Sequence, residues 1–136
     1  MEQSLRSTLR DWESIGDLHY VDRPVDPRYE LGAVLSLRKD GPAQFFRQVK
    51  GYDMPVVGNV LNTRERLARG LGLERSELQG ACIAALDHGI EPMVVAEGPV
   101  QEVVLQGQVD IPALLPVPTW FERERGPYIT AGVIVA

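Results

Sequence analysis

The stretch QFFRQVKGYDMPVVGNVL, residues 44–61, decides the fold class. Residues 44–49 carry the aromatic and β-branched side chains of a strand, and residues 50–53 have the composition of a turn. Residues 54–61 form a second extended run with PVVGNV at its centre. This order predicts a β-hairpin, and the helical patterns around it place the hairpin in a small α/β unit.

The sequence before this hairpin predicts two helices and a strand. Residues 4–15 repeat apolar side chains at the spacing of one helical face, with Gly16 as the stop signal. Residues 19–22 have the pattern of a strand. A second helix is expected to begin at Asp26, which can cap free backbone N–H groups, with Pro27 in the first helical position.

Two further helices are expected after the hairpin, over residues 62–70 and 76–88. Each range begins with Asn or Ser and has Glu or Gln three positions later, which is the pattern of a capping box. Cys82 lies on the apolar face of the second of these helices, where a thiol usually behaves as a small buried hydrophobe.

The character of the chain changes after residue 90. Six of the ten prolines lie there, and helical periodicity ends. Residues 100–106 alternate as a strand does, and residues 128–136 form an apolar, strand-like run. We therefore predict a boundary near Gly98, with an N-terminal α/β domain over 1–98 and the incomplete start of a β-rich domain over 99–136. We expect other segments to cover the final strand, or the chain to stop short of its natural end.

Composition excludes several classes of protein. The 136 residues carry a net charge of −5, so the basic surface of a nucleic-acid-binding protein is missing. Cys82 is the only cysteine, which rules out an internal disulfide. The N-terminus lacks the apolar segment of a secretory signal, and no run approaches the length of a membrane span. These features indicate a cytoplasmic protein without a membrane span.

Most familiar catalytic motifs are absent. The sequence has no HExxH, CxxC, GxSxG or P-loop pattern. His19 and His88 lack metal-ligand spacing, and we interpret them as a strand-edge residue and a helix C-terminal cation.

The most unusual segment is GPYITAG, residues 126–132. Thr130 stands among small residues, so a ligand could approach the backbone and accept a hydrogen bond from the hydroxyl group; a glycine at a barrel corner is the simpler interpretation. The preceding Glu122-Arg123-Glu124-Arg125 run is interpreted either as a solvated loop or as a charged rim beside a site.

Three blocks together resemble the N-terminal part of a UbiD-family decarboxylase. They are LRDWESIGDLHYVDRPVDPRYELGAV at 9–34, GPAQFFRQVKGYDMPVVGNVLNTRERLARGLG at 41–72 and VVLQGQVDIPALLPVPTWFERERGPYITAG at 103–132. The resemblance implies an α/β (α+β) N-terminal domain followed by the first strands of a flavin-reductase-like split β-barrel.

The same resemblance implies an activity and a set of partners. The family carries out reversible, non-oxidative decarboxylation of aromatic or α,β-unsaturated acids with prenylated FMN, Mn²⁺ and often K⁺. These cofactors belong to the complete enzyme, and this chain alone is not expected to hold them. A flavin prenyltransferase supplies the cofactor, and the enzymes form oligomers. Thr130 matches a family threonine beside the cofactor, and Gly132 matches the small residue near it.

The family's metal ligands and its Glu-Arg-Glu network lie downstream of the PYITAG strand, so no catalytic or metal-ligating residue is assigned here. Glu122, Arg123 and Glu124 resemble that network only in their letters. Three interpretations remain: a fragment completed by the remainder of the decarboxylase, one subunit of a split enzyme completed by a complementary subunit, or a non-catalytic binding or regulatory module.

Overall fold

The computed structural model describes residues 4–130, which form five α-helices and three β-strands. The helices are α1 (Leu5–Ser14), α2 (Glu30–Leu37), α3 (Arg64–Gly70), α4 (Leu78–Asp87) and α5 (Ile111–Leu114). The strands are β1 (Leu18–Val21), β2 (Ala43–Phe46) and β3 (Val56–Gly58), and a 3₁₀ turn covers Pro99–Gln101. Within residues 4–130 the longest helices have ten residues, and none is long and apolar enough to cross a membrane.

The three strands form one sheet in the order β1-β2-β3. Strands β1 and β2 are parallel, and α2 lies in the crossover connection between them, as parallel pairing requires. Strands β2 and β3 are antiparallel, with Phe46 opposite Val56. The predicted hairpin is therefore confirmed, although its strands are shorter than the apolar runs that indicated them.

The main core lies where α2 packs on the sheet. It contains Val25, Leu31, Leu35, Phe46 and Val49, all of them buried. The helix approaches β3 so closely that a Cβ atom on Gly58 would lie 2.5 Å from Leu35 Cδ2. Glycine at position 58 therefore permits this packing distance.

Helix α1 covers the opposite face of the sheet. Tyr20 and Val21 point to opposite faces because side chains alternate along a strand, and Val21 packs against the main core. The Tyr20 hydroxyl group donates to Glu13 Oε1 of α1 at 2.8 Å. Trp12 is fully buried, and its indole N–H donates to the Val60 carbonyl at 3.2 Å.

A buried arginine joins α3 to the rest of this unit. Arg66 Nε and Nη2 donate to the two carboxylate oxygens of Asp17, each at 2.6 Å. Nη2 also donates to the Gly41 carbonyl, and Nη1 donates to the Asn59 carbonyl and the Asn62 side-chain oxygen. All five donors of the guanidinium group are thus satisfied.

Three predicted helix starts are wrong in detail. Asp26 does not cap α2, which begins at Glu30; the Asp26 carboxylate instead accepts from the Arg28 N–H at 2.8 Å in a turn before the helix. Thr63, rather than Asn62, caps α3 by accepting from the Arg66 N–H. Helix α4 begins after Glu77 without a side-chain cap.

Residues 100–106 do not form the predicted strand. The 3₁₀ turn ends at Gln101, and the following residues pair with no other strand among residues 4–130. A strand needs a hydrogen-bonded neighbour, and alternation alone does not supply one. Helix α4 likewise has no buried residue, so Cys82 is exposed and its predicted burial is wrong.

Candidate functional site

Thr130 is the one sequence-predicted site residue within the described range. It is exposed and lies in a turn after residues 127–129, which belong to no helix or strand. Gly132 lies outside residues 4–130, as do six of the nine residues of the predicted strand 128–136, so its role stays a prediction. The part of that strand that is described, residues 128–130, has no strand pairing.

The segment before Thr130 is anchored on the N-terminal unit through Thr119. The Thr119 N–H donates to the Pro27 carbonyl at 3.1 Å, and the Tyr29 N–H donates to the Thr119 carbonyl at 2.8 Å. These bonds form a short parallel bridge between Arg28 and Thr119. Tyr29 has φ 69° and ψ −42°, a costly conformation for a bulky residue, directly before α2 begins.

Trp120 extends this contact onto α2. A Cβ atom on Gly32 would lie 3.0 Å from Trp120 Cε3, so the indole ring occupies the space that a larger residue at position 32 would need. The ring also packs against the main core beneath α2. The segment that leads to Thr130 is therefore held by backbone hydrogen bonds and by side-chain packing.

Trp120, Glu124 and Tyr128 close the loop that precedes Thr130, and we call these three residues the aromatic clamp. Glu124 Oε2 accepts from the backbone N–H groups of Trp120 at 3.0 Å and Phe121 at 3.1 Å. Glu124 Oε1 accepts from the Tyr128 hydroxyl group at 2.8 Å. The Trp120 indole N–H donates to the Tyr128 carbonyl at 3.0 Å, and the Tyr128 N–H donates to the Pro118 carbonyl at 3.1 Å.

The contact with Glu124 also changes the acidity of Tyr128. The Glu124 carboxylate accepts a hydrogen bond from the phenolic hydroxyl group, and this bond raises the pKa of Tyr128 above its ordinary value, with smaller contributions from burial and from the Glu124 charge. The phenol therefore keeps its proton at neutral pH and remains a donor to Glu124.

The run 122–125 was interpreted either as a solvated loop or as a charged rim beside a site. Neither interpretation fits Glu124, because both of its carboxylate oxygens accept hydrogen bonds from other residues of the same loop. Glu122, Arg123 and Arg125 are exposed and take part in no ion pair with another residue of the 4–130 range. The sequence carried one signal for the clamp that was not used: an acidic residue four positions after a tryptophan in a turn-forming segment.

A metal centre does not fit the described residues. No group of three or more His, Cys, Asp or Glu side chains that could hold a metal ion occurs within residues 4–130. His19 is exposed on β1, and His88 is the C-terminal cap residue of α4, the position predicted for it.

Two family models match the chain. The 3-octaprenyl-4-hydroxybenzoate carboxy-lyase N-terminal domain matches residues 9–85, which is more than half of the sequence. The Rift-related domain of the same carboxy-lyase family matches residues 93–136.

Solved structures of UbiD-class enzymes share this fold. An evolved dimeric form of HmfF from Pelotomaculum thermopropionicum, in complex with prFMN, is 31% identical with a TM-score of 0.89, over 96% of this chain and 31% of that chain. The 3,4-dihydroxybenzoic acid decarboxylase of Enterobacter cloacae is 30% identical with a TM-score of 0.81, over 93% of this chain and 29% of that chain. The closed form of vanillic acid decarboxylase from Sedimentibacter hydroxybenzoicus is 27% identical with a TM-score of 0.82, over 95% and 29%.

The chain thus spans about a third of the length of the solved enzymes that it matches. The resemblance inferred from the three sequence blocks is confirmed by both family models and by these structures. This chain belongs to the UbiD family of carboxy-lyases.

Proposed function

We propose that this chain supplies the N-terminal unit and one flavin-contacting segment of a decarboxylase that acts on an aromatic or α,β-unsaturated acid with prenylated FMN. The observation that supports this most directly is the match over 96% of the chain to a UbiD-class enzyme in complex with prFMN. A second structure of HmfF contains FMN. Bound prenylated FMN would supply the electron sink for loss of carbon dioxide.

Thr130 is the residue of this chain that we propose for contact with the flavin. It is exposed at the end of an anchored segment, so its hydroxyl group can reach a ligand. A threonine hydroxyl donates one hydrogen bond and suits a phosphate or a ring oxygen. Gly132 would leave room for the cofactor beside it.

The remaining parts of the enzyme belong to the proposal as well. We propose that residues 1–98 form the N-terminal domain and residues 99–136 begin a split β-barrel. Further polypeptide, either in the same chain or in a complementary subunit of a cytoplasmic oligomer, would provide the ligands for Mn²⁺ and K⁺ and the acid–base groups. A flavin prenyltransferase would supply the cofactor.

Two measurements test these proposals. Purified protein alone should release no carbon dioxide from an unsaturated acid such as cinnamate, because the proton-transfer groups lie elsewhere. FMN titration of the chain reconstituted with the remainder of the decarboxylase, followed by flavin fluorescence, should show weaker binding for Thr130→Val. Ser76→Ala removes a hydroxyl group from an exposed residue outside the segment that leads to Thr130, so it should leave the affinity unchanged.

The outcomes separate the candidate functions. Carbon dioxide release by the chain alone would contradict the need for further polypeptide. Equal FMN affinity for wild type and Thr130→Val would contradict the role of Thr130. Tight binding of FMN, combined with no turnover when both prenylated FMN and the remaining enzyme are added, would favour a non-catalytic binding or regulatory module.

A further inference from the structure

We propose that Trp120 and Glu124 are positioning residues for the flavin site, because they fix the backbone of residues 128–130 and hence the place of the Thr130 hydroxyl group. This inference rests on the proposed contact between Thr130 and the flavin. It assigns a role to two side chains that carry no catalytic group and need not touch the cofactor.

Three hydrogen bonds hold Tyr128, which lies two residues before Thr130. Its carbonyl accepts from the Trp120 indole, its N–H donates to Pro118, and its hydroxyl group donates to Glu124. Backbone and side chain are both held, so Thr130 follows a fixed residue in the chain. The Trp120 and Tyr128 rings also contact each other, with centroids 6.4 Å apart and planes inclined by 51°.

Glu124 in turn holds the backbone of Trp120. One carboxylate oxygen accepts from two consecutive backbone N–H groups, those of Trp120 and Phe121. The other oxygen holds the Tyr128 hydroxyl group. Hydrogen bonds to an ionised acceptor are stronger than neutral ones, so Glu124 joins the two ends of the loop.

The aromatic clamp is connected to the N-terminal unit through Trp120 and its neighbour Thr119. Trp120 follows Thr119, which bonds to Pro27 and Tyr29, and its ring lies against Gly32 of α2. Helix α2 therefore fixes the position of the loop that contains the aromatic clamp. Sites held by packed supporting residues keep their geometry better than sites on free loops.

The magnitude follows from the population of the competent conformation. If loosening the clamp leaves residues 128–130 correctly placed for only a fraction of the time, the apparent dissociation constant rises by the inverse of that fraction. Loss of one hydrogen bond predicts a rise of about threefold to tenfold.

The experiment combines FMN titration of the purified chain, reconstituted with the remainder of the decarboxylase, with amide hydrogen exchange on the same assembly. Trp120→Phe keeps an aromatic ring and removes the indole donor, while Glu124→Gln removes the charge at nearly constant size. Both should speed exchange of the Tyr128 amide and raise the FMN dissociation constant about threefold to tenfold, with an unchanged far-ultraviolet circular dichroism spectrum. Arg123→Gln, an exposed change in the same loop, should alter neither quantity.

The variants separate this inference from the function on which it rests. Thr130→Val should weaken FMN binding without changing Tyr128 exchange. Faster exchange in Trp120→Phe and Glu124→Gln with wild-type FMN affinity would overturn the positioning role, and so would unchanged exchange. Wild-type affinity in Thr130→Val would overturn the proposed Thr130 contact instead, and no FMN binding by the wild-type chain reconstituted with the remainder of the decarboxylase would overturn both.

Discussion

Replacement of Arg66 by methionine tests whether α3 is held mainly by one buried ion pair. The Arg66 side chain is 8% exposed, and its guanidinium group donates to the Asp17 and Asn62 side chains and to two backbone carbonyls. Methionine has a similar length and no donors. Arg66→Met would therefore leave the Asp17 carboxylate, whose side chain is 29% exposed, without its cation.

Arg66→Met should lower the free energy of unfolding by a large amount for a small domain. Removing one partner of a buried ion pair costs roughly 3–5 kcal/mol, because the other charge stays desolvated. Asp17 keeps partial contact with water, so we expect about 3 kcal/mol. That is a substantial part of the roughly 5–15 kcal/mol that stabilises a typical domain.

The assay is urea unfolding monitored by tryptophan fluorescence. Trp12 is fully buried and donates to the Val60 carbonyl, so its emission reports on this unit. The matched control is Arg69→Met in the same helix. Arg69 donates to the Asp11 carboxylate at 2.7 Å, but its side chain is 50% exposed. We expect a much smaller loss for this control, and one that diminishes further in high salt.

A double variant isolates the uncompensated charge. Asp17→Asn combined with Arg66→Met removes both charges, so it should be more stable than Arg66→Met alone. Equal losses for Arg66→Met and Arg69→Met would refute the special role of the buried pair. A double variant less stable than Arg66→Met would show that the unpaired Asp17 carboxylate is not the source of the cost.

Two further predictions concern α2 and its packing. The Glu30 carboxylate accepts from the Asp26 N–H at 2.8 Å and pairs with Arg23, which together hold the pKa of Glu30 below its ordinary value. This stabilisation is present above the unfolded pKa and is lost as the pH falls through the lowered pKa of folded Glu30. Glu30→Gln should therefore cost about 1 kcal/mol in urea unfolding at pH 7 and progressively less in acid, and a cost that does not change with pH would contradict this reasoning. Gly58→Ala should lower the free energy of unfolding by about 1–3 kcal/mol, because the new Cβ atom would meet Leu35. Gly80→Ala, which lies in open space on α4, should be neutral or stabilising. Equal thermal unfolding midpoints for the two variants would contradict the close packing of α2 on β3.

Local patterns predicted the elements whose causes are local. Helix α1, strand β1 and the β2–β3 hairpin depend on side-chain periods of 3.6 and 2 and on turn residues, all visible within a few positions. The Arg66 cluster was not predicted because its partners Asp17 and Gly41 lie 49 and 25 positions away. An isolated sequence contains no signal that selects these partners from other acidic residues and carbonyls.

The segment 100–106 shows the opposite failure, since its pattern was correct for a strand and the strand did not form. Val103 and Val104 are exposed, at 78% and 64%, and have no strand beside them among residues 4–130. Alternation specifies which side chains would share a face of a sheet, but pairing depends on a second segment. The prediction therefore needed information about a neighbour that the pattern does not contain.

The start of α2 connects the fold to the candidate site, and for that reason it was also mispredicted. Asp26-Pro27 satisfies local rules for a helix start, yet the Tyr29 N–H bonds to Thr119 and the helix begins only at Glu30. The positive φ of Tyr29 costs about 1–2 kcal/mol for a residue with a side chain, and it persists because the Thr119 bridge and Trp120 packing offset that cost. Local sequence preference gives way here to a contact 90 positions away along the chain, the same contact that anchors the segment leading to Thr130.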